Sequence, residues 1–288
     1  MKKTLAILLA STMLLALCAC GAASSPAATQ TPTAATQQPV QTTELTNMLK
    51  EINDKYEQGT AGSSLKAAAL AGEMLDWYIQ TKPADADVNA ETSAYFATLD
   101  KTVSQTFISK LDDVYGAAMQ TCGSDGADLL STAGYTPKGT WTGSDAKTLF
   151  TAIYGGTGAA APKYAAVYSG DEQAEHFVIT YDMIEDLTPD NLLTALKNNG
   201  MVSVGVKVNS FDKGDGKALT LDLSSDFQKL LSSTGTAGEY MIMGSVVNTF
   251  LAAYGADSIT VTAGGKTIET GHQVYSGAQT MYSDNAAK

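Results

Sequence analysis

The chain contains no arginine, two histidines and three cysteines among its 288 residues. Without guanidinium forks or a basic face, recognition of nucleic acid or polyphosphate is disfavoured. His176 and His272 fall in separate strand-like regions, too few for a three-histidine zinc site and without a cysteine close by. No metal ligand and no cofactor is expected. Charge of one sign is also scarce, with 18 lysines against 30 acidic residues and a net charge of −12. Acidity on this scale is a solubility device. Each of residues 44–155 and 156–288 holds 8 lysines and 15 acids, so the excess is spread evenly.

What is present at the start is directional. Lys2 and Lys3 precede a mainly apolar run from Leu5 to Leu17, the charged-then-hydrophobic layout of an export signal. Thirteen residues make roughly 20 Å of helix, short of the ~30 Å hydrocarbon core, which argues against a spanning anchor. Leu17-Cys18-Ala19-Cys20-Gly21 resembles the lipobox of bacterial lipoproteins. That resemblance implies cleavage before Cys20 and lipid attachment to it, and hence a location on the outer face of the cell membrane. Cutting before Cys18 would leave bulky Leu17 where a small side chain is needed. Cys122 is then the one thiol remaining, so no intrachain disulfide is expected.

Residues 20–43 are, after Cys20 and Gly21, Ala, Ser, Thr, Gln and Pro with a single Val and no charge before the folded part. Such a stretch cannot repay ordering entropy and reads as a disordered tether behind a signal peptide of residues 1–19. Residues 44–154 carry apolar side chains at helical spacing: Leu45, Met48, Leu49 and Ile52, then Leu65, Ala69 and Leu75, then one long stripe from Phe96 through Leu111 to Ala118. Ser144 reads as the N-cap of a further helix that stops at Gly155-Gly156. This half is expected to be a helical domain.

After a Gly- and Ala-rich linker at 155–163 the period changes. Tyr164 to Tyr168 and His176 to Tyr181 read as strands, and Thr188-Pro189 opens a helix closed by Asn199-Gly200. Val202, Val204, Val206 and Val208 alternate with polar residues, as do Leu219, Leu221 and Leu223, which predicts two strands joined by a Gly-rich turn. Thr236 and Glu239 have capping-box spacing before a helix with Met243, Val247 and Leu251, stopped by Gly255. Ile259 and Val261 form a last strand turned by Gly264-Gly265. The expected class is α+β: a helical domain, then a β-α-β-β-α-β domain at 164–277 with helices on one face of a small sheet, then a tail at 278–288.

The run Leu219 to Phe227, Gly238-Glu239 and Ser245-Val246-Val247-Asn248-Thr249-Phe250 resembles the GerMN domain. The match is clear over about 50 residues and looser back to Tyr164. It implies a link to sporulation or germination, a similarity to ring-building modules and no enzymatic activity. At Phe250 to Gly255 the chain departs from the family's more polar helix end and Pro-Gly turn.

Catalytic patterns are poorly supported. Asp85, Asp87 and Asn89 imitate a calcium loop, but Ala90 and Phe96 stand where Gly and Glu are needed. Gly265-Lys266-Thr267 lacks the upstream Gly of a phosphate loop. Ser63-x-x-Lys66 and Ser144-x-x-Lys147 match one element of penicillin-interacting enzymes, while Ser283-Asp284-Asn285 and Lys266-Thr267 come in the wrong order. Two functions follow: non-enzymatic assembly with an envelope protein or with further copies, and ligand binding in a cleft between the helical and α/β halves.

Overall fold

The computed structural model describes residues 43–284. Cys18, Cys20 and the stretch expected to be an export signal and tether lie outside the described residues, Thr43 excepted. The described residues cluster as one compact unit, and it holds two apolar cores, one helical and one mixed.

Six helices build the first core. α1 (Glu44–Lys55) starts at Thr43, whose side chain accepts from the Thr46 N–H, and it buries Leu45, Leu49 and Ile52. α2 (Ser63–Thr81) follows, then α3 (Asp85–Phe96) and α4 (Lys101–Thr121). The stripe expected to be one helix is thus broken. Asp100 accepts from the Thr102 and Val103 N–H groups at 2.9 Å each and starts a new helix, an N-cap inside what reads as continuous apolar spacing. A short helix, α5 (Gly126–Thr132), was not legible in the pattern. α6 (Gly143–Thr157) begins at Thr142 and not at Ser144. Thr142 and Asp145 form a reciprocal capping box, with Asp145 N donating to Thr142 Oγ1 at 3.2 Å and Thr142 N donating to Asp145 Oδ2 at 2.6 Å.

An antiparallel hairpin follows, β1 (Lys163–Gly170) with β2 (Phe177–Ile184). It is a two-stranded sheet of its own and does not join the main one. Its two faces serve different cores: Ala165 and Val167 belong to the mixed core, while Tyr164 and Tyr181 pack against the helical one. α7 (Pro189–Asn198) is capped by Thr188, carries Pro at its first turn and stops at Gly200, as its sequence predicts.

The valine alternation is only partly a strand. β3 (Val208–Asp212) begins at its last valine, and residues 202–207 turn instead. Val206 donates its N–H back to Ser203 O, which buries Val202 and Val206 but leaves Val204 86% exposed. β4 (Ala218–Leu223) sends Leu219, Leu221 and Leu223 inward. Next come α8 (Ser225–Ser232), held to the core by Phe227 and Leu231 one turn apart, and α9 (Thr236–Tyr254). These helices form the crossover to β5 (Ser258–Ala263), which runs parallel to β4. β6 (Lys266–Glu269) turns back through Gly264 and Gly265, both at positive φ as a tight hairpin requires. β7 (Val274–Tyr275) extends the sheet beyond β6, and β8 (Ala278–Gln279) pairs with the first half of the β5 edge that β6 leaves open.

The architecture is mixed α+β, a helical region followed by a small sheet with helices. α9 is apolar around most of its circumference, which marks a helix enclosed by protein. Met243, Val246, Val247 and Phe250 are fully buried, and its C-terminal stop is Gly255 at φ +63°.

Candidate functional site

The residues that carry the GerMN-like pattern converge around β4, α9 and β5. Leu221 and Leu223 are completely buried, so they serve the core. Asp222 points to the opposite face and is a junction of hydrogen bonds. Its Oδ1 accepts from Thr262 Oγ1 and from the Gly265 N–H, both at 2.7 Å, and its Oδ2 accepts from Asn209 Nδ2 at 2.9 Å. One carboxylate therefore ties together β3, β5 and the β5–β6 turn. Burial pushes the Asp222 pKa up, but the bonds from Thr262, Asn209 and Gly265 outweigh it and hold the carboxyl below its ordinary value.

Asn248 is 1% exposed and makes a two-bond clasp: Nδ2 donates to Tyr282 O at 3.0 Å and Oδ1 accepts from Tyr282 N at 2.7 Å. The backbone it satisfies belongs to the C-terminal segment, 34 residues away in sequence. Tyr240 Oη adds a bond to Ser283 O, and Asp284 accepts from the Phe177 N–H and meets His176 Nδ1 at 3.2 Å. The segment thus straps α9 to the β1–β2 hairpin. Glu239 does not complete the expected capping box. The N-cap of α9 is Gly235, and Glu239 Oε1 accepts from Thr270 Oγ1 at 2.7 Å inside the fold.

Two hollows lie where the hairpin meets the helical region. The larger, about 630 Å³, is lined by Tyr56, Ser63, Asp112, Asp113, Tyr164 and Met183 among others. Tyr154 Oη donates to Asp112, and Tyr56 Oη donates to Asp113 at 3.0 Å. Burial raises the Asp112 pKa; the Tyr154 bond opposes this and the nearby Asp113 charge adds to it. Burial, with the Asp113 bond second, pushes the Tyr56 hydroxyl up to about 12. Sequence reasoning missed the Asp112-Asp113 pair. Both fall at the off-stripe positions between Leu111 and Val114 of an amphipathic helix, so the sequence pattern carries no signal for them. The second hollow, about 410 Å³, lies between Asp125 and Leu129 on one side and Ile179, Asp182 and Asn199 on the other.

The other sequence candidates do not meet. Asp85, Asp87 and Asn89 occupy the start of α3, so they form helix and not a loop. Among the described residues no group of three or more His, Cys, Asp or Glu is placed to hold a metal ion. His272 is exposed in the turn before β7, apart from His176. Ser63 and Lys66 open α2, where Lys66 pairs with Glu51 at 2.7 Å, whereas Ser144 and Lys147 open α6 and Lys266 begins β6. Cys122 is a half-buried free thiol that burial pushes up to about 12, which favours the thiol over the thiolate.

Residues 162–269 match the Germane family model, described as sporulation and spore germination. The match covers the hairpin, α7, the main sheet through β6, α8 and α9, and ties the C-terminal half to a sporulation- or germination-related role. It covers both the clear resemblance from β4 to α9 and the looser one read back to Tyr164. No curated protein and no solved structure matches the chain. Among the described residues no helix is long and apolar enough to cross a membrane.

Proposed function

We propose that this protein is a lipid-anchored lipoprotein on the outer face of the bacterial cell membrane whose C-terminal half acts in protein–protein assembly at the envelope during sporulation or germination. The anchor is Cys20, and the α/β half works by presenting a surface and not by making bonds. The observation that carries this reading is the structural employment of the motif residues. Both oxygens of Asp222 and both polar atoms of Asn248 are engaged within the fold, and the leucines are core. Groups so engaged spend most of their hydrogen-bonding capacity on holding the fold and not on a substrate.

Cross-linking in cells, followed by identification of the captured proteins, tests the proposal. Specific capture of an envelope protein or of a second copy is expected. A protein that stays monomeric at every concentration and yields no specific cross-link would refute it. A second reading, ligand binding at the junction of the helical region and the hairpin, is favoured by the 630 Å³ hollow and its paired carboxylates. It predicts a ligand-induced thermal shift in the chain from residue 42 onward.

A further inference from the structure

Lys147 stands on α6 beside a cleft of about 300 Å³ formed by α6, the hairpin and the end of α9. Ala165, Ile184, Leu187 and Ala253 make the apolar wall, and Tyr115 and Tyr164 add aromatic surface. Although the chain is strongly acidic, no carboxylate lines this cleft among the described residues. The other lysine at its rim, Lys163, is paired with Asp186. Lys147 makes no ion pair or hydrogen bond among the described residues. Burial alone pulls its pKa down, the mark of an ammonium withdrawn from water without a counter-charge. Thr151, four residues on and so on the same helix face, supplies a hydroxyl that likewise has no partner among the described residues.

We propose that this cleft binds a small organic monoanion with an apolar body, its carboxylate on Lys147 and Thr151 and its chain against Ala165, Ile184, Leu187 and Ala253. An unpaired ammonium above an apolar wall is the complement of such a molecule, and a charge-assisted hydrogen bond is the strong kind. At roughly 30 Å³ per water-sized group, the cleft holds about ten non-hydrogen atoms, the size of octanoate. The hollow on the other side of α6 also reaches Lys147 and Thr151, but Asp85 lines it and would repel an anion there. Binding at Lys147 is separate from assembly, since it calls on none of the motif residues between Leu219 and Phe250.

The experiment is calorimetric titration of octanoate and octanamide into the chain from residue 42 onward, with amide chemical shifts of Ala165 and Ala253 reporting position. Saturable 1:1 binding of octanoate is expected, with octanamide at least tenfold weaker. Lys147→Met and Lys147→Gln, each checked for folding by circular dichroism, should weaken octanoate at least tenfold, while exposed Lys266→Met should leave it unchanged. The proposal is overturned if octanoate fails to saturate the wild type. It is equally overturned if either folded Lys147 variant binds as tightly as wild type, if octanamide binds as well as octanoate, or if the Ala165 and Ala253 shifts stay still.

Discussion

Replacing Asp222 by Asn removes one charge and keeps the shape, yet the structure makes it a destabilising change. Three donors point at the carboxylate: Thr262 Oγ1, the Gly265 N–H and Asn209 Nδ2. An amide in its place must turn an NH2 toward Asn209 or toward Gly265. Asn209 cannot simply flip, because its Nδ2 also donates to Leu223 O at 3.0 Å. In either orientation two donors face each other and one acceptor is lost, a cost of about 1 to 3 kcal/mol. For a chain of this size that lowers the melting midpoint by about 2 to 12 °C. Leu221→Ala, at a fully buried position, should cost about 2 to 5 kcal/mol. The two positions therefore differ less than an inward leucine beside an outward aspartate suggests.

The measurements are denaturant unfolding of Asp222→Asn, Asn209→Ala and the double variant. Asn209→Ala removes one of the clashing donors, so the cycle should show a coupling of about 0.5 to 3 kcal/mol. The pH dependence has a definite sign. The folded pKa of Asp222 lies below its ordinary value, so its contribution is present above about pH 4 and is lost as pH falls through the folded value. The gap between wild type and Asp222→Asn should narrow over that acid range. An Asp222→Asn protein within about 0.5 kcal/mol of wild type at neutral pH, with no coupling to Asn209, would refute the junction role. Any lost function in this variant must be compared with its lost stability before Asp222 is assigned chemistry.

Cys20→Ser should release the protein from membranes and abolish incorporation of labelled lipid, while Cys18→Ser should leave anchoring intact; Cys20→Ser protein that stays membrane-bound and labelled would show the attachment site to be elsewhere. Gly156→Ala should lower stability by about 1 to 2 kcal/mol, because the new Cβ would stand 2.6 Å from Asn89 O and 2.8 Å from Ser93 N, backbone atoms of α3 that cannot swing away. Gly238→Ala, whose nearest neighbour is a side-chain carbon at 3.5 Å, should be neutral or stabilising by up to ~1 kcal/mol, and equal thermal midpoints for the two variants would sink the close-packing argument.

The amino-acid sequence by itself determined what depends on neighbours a few residues apart. The helical first half, α7 between Thr188 and Gly200, the inward leucines of β4 and the Gly264-Gly265 turn all follow from periodicity and turn chemistry. So did the GerMN-like stretch, because its strand, cap and helix occur in fixed order. Tertiary structure decided the rest. Whether Leu99-Asp100 breaks a helix depends on whether the Asp100 cap or the apolar stripe wins, and packing of α3 against α6 favours the break. Val202 to Val206 alternate like a strand, yet the segment turns to bury two valines, since alternation records which residues are inward and not the backbone path between them. The separation of the β1–β2 hairpin from the main sheet, the clasp of Asn248 on Tyr282 and the cleft at Lys147 join residues tens of positions apart. Such pairings carry no local period, and only the folded chain brings them within bonding distance.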